Sequence, residues 1–167
     1  ISCEEEVLEG MCYQKLEIEE KVQRTEDMLK LMEIEHLRKA NPYDLSGGEQ
    51  QRLALAKVMV SNPDILLLDE PTKGLDPFFK QTLGRILRRL CKENKTIFMV
   101  SHDIEFCAEF GDRCSMFFDG EIATSGSAKE FFSGNNFYTT VENKLTRKWC
   151  EGIITGEEAR TWIRSLL

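Results

Sequence analysis

The 167-residue sequence has no apolar run that approaches the roughly 18 residues of a membrane-spanning helix, and no signal peptide opens it. It also has no excess of basic residues, since 22 lysines and arginines face 29 aspartates and glutamates, a formal net charge of -7. Nucleic-acid binders need a basic surface, so this balance argues against that class. We therefore expect a protein without nucleic-acid partners that folds in water and can still lie against a membrane subunit.

Paired cysteines are absent as well. None of the six cysteines forms the Cys-x-x-Cys spacing that is typical of zinc sites, and their scatter gives no disulfide framework. They are Cys3, Cys12, Cys91, Cys107, Cys114 and Cys150. What is present is an ordinary globular composition, 41% hydrophobic and 31% charged. We expect reduced thiols in a cytoplasmic protein whose length allows one domain with a core.

The first part of the chain has the pattern of helices. Leu29, Met32 and Leu37 recur among glutamates and lysines at helical spacing, which predicts helices up to about residue 41. A further helix is predicted after residue 46, because Ser46 and Glu49 have the spacing of a capping box. The apolar residues expected on the buried face of this helix are Leu55, Val58 and Met59.

Two short apolar runs predict strands that are covered on both faces, as in a parallel sheet. The first is Ile65 to Leu68, and the second is Thr96 to Val100. Between them, Asp76-Pro77 predicts the start of a helix. The apolar stripe expected on that helix consists of Leu83, Ile86, Leu87 and Leu90.

A hairpin is predicted after these elements. Asp119-Gly120 suits a tight turn between a strand from Cys114 to Phe118 and another from Glu121 to Thr124. Strands that alternate with helices, followed by a hairpin, predict an α/β fold with a mixed sheet flanked by helices. Residues 127–167 are expected to be helical pieces.

The segment Leu45–Arg52, LSGGEQQR, is the first with a chemical pattern. Two glycines before a helix expose backbone N–H groups at the positive end of its dipole, which suits a phosphate, and Ser46 adds a hydroxyl. A flexible helix cap would explain the same residues. Read without the rest of the chain, the segment leaves both interpretations open.

Carboxylates follow the first predicted strand, at the edge of the sheet where ligands gather in open α/β folds. Asp69 could hold Mg²⁺ through water, and Glu70 could orient or deprotonate an attacking water. Further along, Asp76 could simply cap a helix, and His102 follows the second strand. Each of these residues alone has a purely structural explanation.

Four elements in a fixed order remove that ambiguity. LSGGEQQR, ILLLDEP, TKGLDP and a strand ending in SHD resemble the signature motif, Walker B motif, D-loop and switch histidine of the ABC ATPase family. The resemblance covers residues 1–126 well and residues 127–167 less specifically. It implies a partial ABC ATPase domain, with a helical subdomain at 1–62, a core at 63–126 and a C-terminal helical extension at 127–167.

The resemblance also implies roles for single residues on the nucleotide side. Ser46, Gly47 and Gly48 would contact the γ-phosphate of an ATP held mainly by a second ABC domain, with which this one pairs head to tail. Gln50 is included among the nucleotide-binding residues. Asp76 would communicate across the dimer.

The catalytic roles follow in the same way. Asp69 would support Mg²⁺, Glu70 would be the general base that polarises water, and His102 would bind the γ-phosphate and steady Glu70. The cofactors implied are ATP and Mg²⁺.

One family element is missing, because no GxxxxGK[ST] phosphate-binding loop occurs in these 167 residues. The Q-loop glutamine and the aromatic residue that stacks on adenine would also lie before Ile1. We therefore expect the chain to be the C-terminal part of a longer domain, inactive by itself. A naturally degenerate domain is the alternative.

The subfamily is indicated by TKGLDP and by residues 131–140, FFSGNNFYTT, which look like the second ATPase half of fused energy-coupling-factor importers of vitamins or metal ions. The implied function is ATP hydrolysis that powers solute import, at the cytoplasmic face of the membrane, with residues 1–41 near a transmembrane subunit. The alternatives are an ABC protein acting on ribosomes or DNA, and a non-catalytic module that lends its signature motif to a partner. The acidic chain argues against the former, and Glu70 with His102 argues against the latter.

Overall fold

A computed structural model describes residues 1–134 and 138–166, and the chain divides into two compact units, Ile1–Val100 and Ser101–Leu167. The α/β class is confirmed. The helices are α1 (Cys3–Glu9), α2 (Ile18–Leu31), α3 (Gly47–Met59), α4 (Pro77–Lys92), α5 (Ile104–Phe110), α6 (Ala128–Gly134), α7 (Val141–Thr146) and α8 (Gly156–Ser165). The strands are β1 (Ile65–Asp69), β2 (Thr96–Val100), β3 (Arg113–Phe118) and β4 (Glu121–Ser127).

Three helices form the first part of unit one, where α1 and α2 pack on α3. The helical pattern predicted here is present in α2, and Leu29 and Met32 are both buried. On α3, Leu55 and Met59 are buried as predicted. The prediction for Val58 is wrong, because α1 and α2 leave its side of α3 uncovered and it is 47% exposed.

Strands β1 and β2 pair in parallel, with Ile65 opposite Thr96 and Asp69 opposite Val100. The prediction that both strand faces are covered is wrong for the described chain. Leu66 and Leu68 are buried, but side chains alternate between the two faces of a strand, and no described element covers the second face. The apolar residues on that face are between 63% and 72% exposed, namely Ile65, Leu67, Phe98 and Val100.

Helix α4 follows the predicted start signal. Asp76 is its N-cap and Pro77 its first residue, and the Asp76 Oδ1 accepts a hydrogen bond of 2.9 Å from the Phe79 amide. Of the predicted stripe, Leu83 is fully buried, Ile86 and Leu87 are buried, and Leu90 is only partly buried. This helix packs on β2, so the cap fixes the chain segment between β1 and α4.

Unit two contains the predicted hairpin of β3 and β4, with Asp119 and Gly120 at the turn. Their φ angles of 50° and 82° are the left-handed pair that a tight hairpin turn requires. Among the described residues, the parallel and antiparallel pairs form two separate two-stranded sheets. The core of this unit is formed by Ala108, Ala128, Phe132 and Ile154.

The expected helical pieces of the C-terminal segment are present as α6, α7 and α8. Residues 135–137, with that part of the FFSGNNFYTT pattern, lie outside the described residues. The division between the units at Val100 differs from the functional division predicted after residue 126, which stays a prediction. Within the described part of the chain, no helix combines the length and apolar character needed to cross a bilayer.

Candidate functional site

The turn before α3 is organised by two residues. The Ser46 hydroxyl donates to Oε2 of Glu49 at 2.6 Å, and the Ser46 amide donates to the same oxygen at 2.8 Å. In return, the Glu49 amide donates to Ser46 Oγ at 3.4 Å, which completes the predicted capping box. The hydrogen bonds from the Ser46 hydroxyl and amide hold the pKa of Glu49 below its ordinary value. The carboxylate is therefore ionised and sits at the N terminus of α3.

Two glycines let this turn approach the loop between β1 and α4. A Cβ placed on Gly48 would lie 2.8 Å from the carbonyl oxygen of Gly74, closer than real Cβ contacts. Gly74 itself has a φ of +75°, a conformation that favours glycine. The turn at residues 46–49, here called the signature turn, thus lies close to the D-loop segment. A side chain at position 48 would prevent this approach, and one at position 74 would be strained by the positive φ.

We predict that Gly48→Ala lowers the free energy of unfolding by about 1–3 kcal/mol, the usual range for a residue forced into filled space. The added methyl group would push the two loops apart. The matched control is Gly47→Ala, since a Cβ at Gly47 meets nothing within 4 Å. Chemical denaturation of the two variants checks this prediction, and equal stability of both would contradict the close approach.

Arg52 connects three segments around the turn, a role that the sequence analysis missed. Its Nη2 lies 2.5 Å from Oδ2 of Asp76, its Nη1 lies 3.2 Å from Oε2 of Glu33, and its Cζ is 3.8 Å from the centroid of the Phe79 ring. The side chain is only 16% exposed, so both ion pairs are partly shielded from water. Arg52 is the last residue of the LSGGEQQR segment, but its partners are distant in sequence, so the sequence did not indicate these contacts.

Asp76 is held from two sides. The backbone amide of Phe79 and then the Arg52 guanidinium keep the pKa of Asp76 below its ordinary value. Its structural role as a helix cap is therefore established by contacts. Its predicted role in communication across a dimer stays a prediction.

These residues surround a cavity of about 420 Å³, here called the signature cavity. It is lined by Glu33, Ile34, His36, Ser46, Gly48, Glu49, Arg52, Gly74 and Asp76. Three predicted nucleotide-binding residues, Ser46, Gly48 and Asp76, thus meet at one place. Gln50 is oriented elsewhere, because its amide donates to the carbonyl oxygens of Leu45 at 3.2 Å and Pro42 at 3.4 Å.

Asp69 and Glu70 lie at the carboxyl end of β1. Glu70 has a φ of 47°, an uncommon conformation for a glutamate, and its amide donates to Val100 at 2.8 Å. The side-chain amide of Gln51 donates to the carbonyl oxygen of Pro71 at 3.3 Å, which connects α3 to the residues that follow Glu70. Sparsely populated backbone conformations cluster at functional sites, so this one supports a role for Glu70.

The fourth predicted element, His102, is the second residue of unit two. It stands between Ser101, whose hydroxyl accepts a hydrogen bond of 3.0 Å from the amide of Asp103, and Asp103 itself, which caps α5. His102 follows β2 as predicted. The role of His102 beside Glu70 stays a prediction from the sequence.

A metal ion at the carboxyl end of β1 would need ligands other than protein side chains. Among the described residues there is no group of three or more histidines, cysteines or carboxylates that could hold a metal ion without other ligands. Mg²⁺ is commonly bound by one or two carboxylates together with substrate phosphates and water. The exposed Asp69 at the end of β1 suits that arrangement.

Comparison with known proteins agrees with the resemblance to the ABC ATPase family. Residues 2–73 match the model of the ABC transporter family. An ABC transporter ATP-binding protein from Bacillus cereus is 50% identical over 133 residues, which are 80% of this chain and 24% of that protein. An energy-coupling factor transporter ATP-binding protein from Oenococcus oeni is 37% identical over 123 residues, 72% of this chain and 43% of that protein. The chain thus spans less than half the length of each of these relatives.

Solved structures agree. A dimeric ATP-binding cassette in a post-hydrolysis state with ADP and Pi matches with a TM-score of 0.71 at 31% identity, over 77% of this chain and 57% of that one. The cbiO1 protein of Clostridium perfringens, part of the ABC transporter complex cbiONQ, matches with a TM-score of 0.70 at 32% identity, over 89% of this chain and 58% of that one.

Proposed function

Because this chain belongs to the ABC transporter ATP-binding family, we propose that it closes over an ATP molecule held by a second ABC domain paired with it head to tail. The observation that carries the proposal is the signature cavity, where Ser46, Gly48 and Asp76 lie together. The contact between Gly48 and Gly74 and the ion pair between Arg52 and Asp76 hold these parts as one piece.

The signature turn would bind the γ-phosphate through fixed donors. The N–H groups at the start of α3 have no partner within a helix, and the helix dipole favours negative charge there. Donors that are already oriented need little reorganisation when phosphate arrives, which is how such groups stabilise developing charge.

Asp69 and Glu70 would divide the chemistry at the end of β1. Asp69 would hold Mg²⁺ through its water shell, and the ion when bound would neutralise charge on the phosphates. Glu70 would take or orient a proton of the attacking water. Asp69 is the last residue of β1, and Glu70 follows it in a left-handed backbone conformation, so the two residues have different backbone settings that allow separate roles.

The ATPase would power a transporter, with a transmembrane subunit as partner and a peripheral position at the cytoplasmic face of the membrane. The relatives that support this are the energy-coupling factor protein of Oenococcus oeni and the cbiO1 protein. We propose import of a small solute such as a vitamin or metal ion, because TKGLDP and the sequence of residues 131–140 resemble the ATPases of energy-coupling-factor importers. His102 is proposed to contact the γ-phosphate and to steady Glu70.

We predict that the 167-residue chain by itself neither hydrolyses ATP nor binds Mg-ATP with micromolar affinity. The reason is the lack of a GxxxxGK[ST] segment, whose backbone and lysine supply most contacts to the β- and γ-phosphates. Isothermal titration calorimetry with Mg-ATP checks this. The same chain mixed with an ABC domain that carries the loop should associate with it only when ATP is present. Micromolar binding to the isolated chain would contradict the prediction.

A further inference from the structure

In the signature turn, the Glu49 carboxylate already accepts hydrogen bonds from Ser46. We propose that Glu49 sets the affinity of this turn for nucleotide, by occupying the Ser46 donors that the γ-phosphate needs. The proposal rests on the proposed function, because it concerns the same site. It assigns to Glu49 a control over binding that acts through Ser46.

The first argument concerns the hydrogen-bond donors of Ser46. A serine hydroxyl has a single hydrogen, and the Ser46 hydroxyl donates it to Oε2 of Glu49 at 2.6 Å. The Ser46 backbone amide donates to the same oxygen at 2.8 Å. While these bonds last, neither group can donate to a phosphate. The γ-phosphate would therefore have to displace the carboxylate.

The second argument concerns the negative charge of Glu49. The dipole of α3 and the Ser46 donors stabilise a carboxylate for the same physical reasons that they would stabilise a phosphate. Two anions cannot share these donors without repulsion. The carboxylate thus competes with the ligand for one place, as long as it stays in the capping box.

The signature cavity carries the third step, since it offers a place for the displaced carboxylate. Glu49 lines it together with His36 and Arg52, the two cationic or potentially cationic side chains that favour its ionised form across space. A rotation of the Glu49 side chain toward them would leave the Ser46 hydroxyl and amide facing outward. Ser46 is itself exposed, so an incoming phosphate can reach these donors.

A capping box is also a common structural device, and a purely structural Glu49 would behave differently on substitution. Loss of its carboxylate would then lower stability without improving nucleotide binding. In the competing-anion arrangement, the same loss lowers stability and strengthens ATP-dependent association. The two readouts together separate these roles.

The experiment compares Glu49→Gln and Glu49→Asp in the chain paired with an ABC domain that carries the phosphate-binding loop. The measured quantity is the ATP concentration that gives half-maximal association. Glu49→Gln should lower it about tenfold, the effect of freeing hydrogen bonds to a charged group. Glu49→Asp, which is one methylene shorter and keeps the charge, should lower it by a smaller factor.

The control is Glu35→Gln, which removes one negative charge nearby without touching Ser46, since Glu35 pairs with Lys30 at 3.7 Å. It should leave the ATP requirement unchanged. An unchanged or higher requirement in Glu49→Gln overturns the proposal, and so does an equal decrease in Glu35→Gln. Ser46→Arg in the same assay tests the proposed function. If the Ser46→Arg chain still associates with the partner domain in the presence of ATP, the proposed function is wrong. If Ser46→Arg prevents association but Glu49→Gln has no effect, only the proposed role of Glu49 is wrong.

Discussion

Replacement of Ser46 by arginine is expected to abolish ATP-driven closure of the paired domains and to reduce hydrolysis to background. The partner domain should still load nucleotide almost normally, because in the proposed arrangement it holds most of the ATP contacts. An arginine at this position fills part of the signature cavity of about 420 Å³ and adds a positive charge near Arg52. It also removes the hydroxyl that would donate to the γ-phosphate.

Gel filtration with and without ATP measures closure, and phosphate release measures turnover. A second variant separates loss of the helix cap from loss of the site. Thr155→Arg removes an equivalent capping box, formed by Thr155 and Glu158 at the start of α8, so it should lower stability without preventing closure. An ATP-dependent dimer of the Ser46→Arg chain would contradict the assignment of the signature turn.

Features that rest on contacts between near neighbours could be predicted from the sequence. The capping box of Ser46 and Glu49, the Asp76 cap before Pro77, and the turn at Asp119 are all present as expected. Each depends on groups within a few residues of one another, so the local residue types determine the geometry. The start of α3 and the start of α4, which frame the signature cavity, were therefore predictable.

Contacts between distant segments were not predictable. The approach of Gly48 to Gly74 and the ion pairs of Arg52 with Glu33 and Asp76 join different elements. A glycine or arginine in a motif does not show which distant partner it meets. The site could thus be located from its motifs, but the way its parts are joined required the fold.

Burial was predicted less well than secondary structure. An apolar run such as Ile65 to Leu68 indicates that both faces of a strand suit burial. Whether they are buried depends on a second packing surface, and no described element supplies one for the face that carries Ile65 and Leu67. Val58 is a smaller case of the same kind, since its helix is only partly enclosed by α1 and α2.

In the ATPase assembled with its partner domain, Glu70→Gln is expected to reduce hydrolysis by about 10²–10⁴, the usual effect of losing a general base. Glutamine has nearly the shape of glutamate and can take the same backbone conformation, here with a φ of 47°. The Gln51 hydrogen bond to the Pro71 carbonyl does not involve the Glu70 side chain. Nucleotide contacts should therefore remain, and the ATP-bound dimer should live longer.

Asp69→Asn should behave in the opposite way, although the two residues are adjacent. Asp69 is proposed to stay ionised in order to hold the water shell of Mg²⁺, and asparagine removes that charge. The variant should retain Mg-ATP poorly and form no long-lived dimer. A dimer that persists in Asp69→Asn would contradict the proposed Mg²⁺ role.

Both variants can be assayed for phosphate release and for ATP-dependent dimerisation under the same conditions. The contrast between them matters more than either value, because a general loss of folding would remove dimers in both. If Glu70→Gln kept more than about a tenth of the unaltered turnover, the loss would lie well outside the range for a general base. The base would then have to be another residue, and Glu70 would be left with orienting water or supporting the turn at the end of β1.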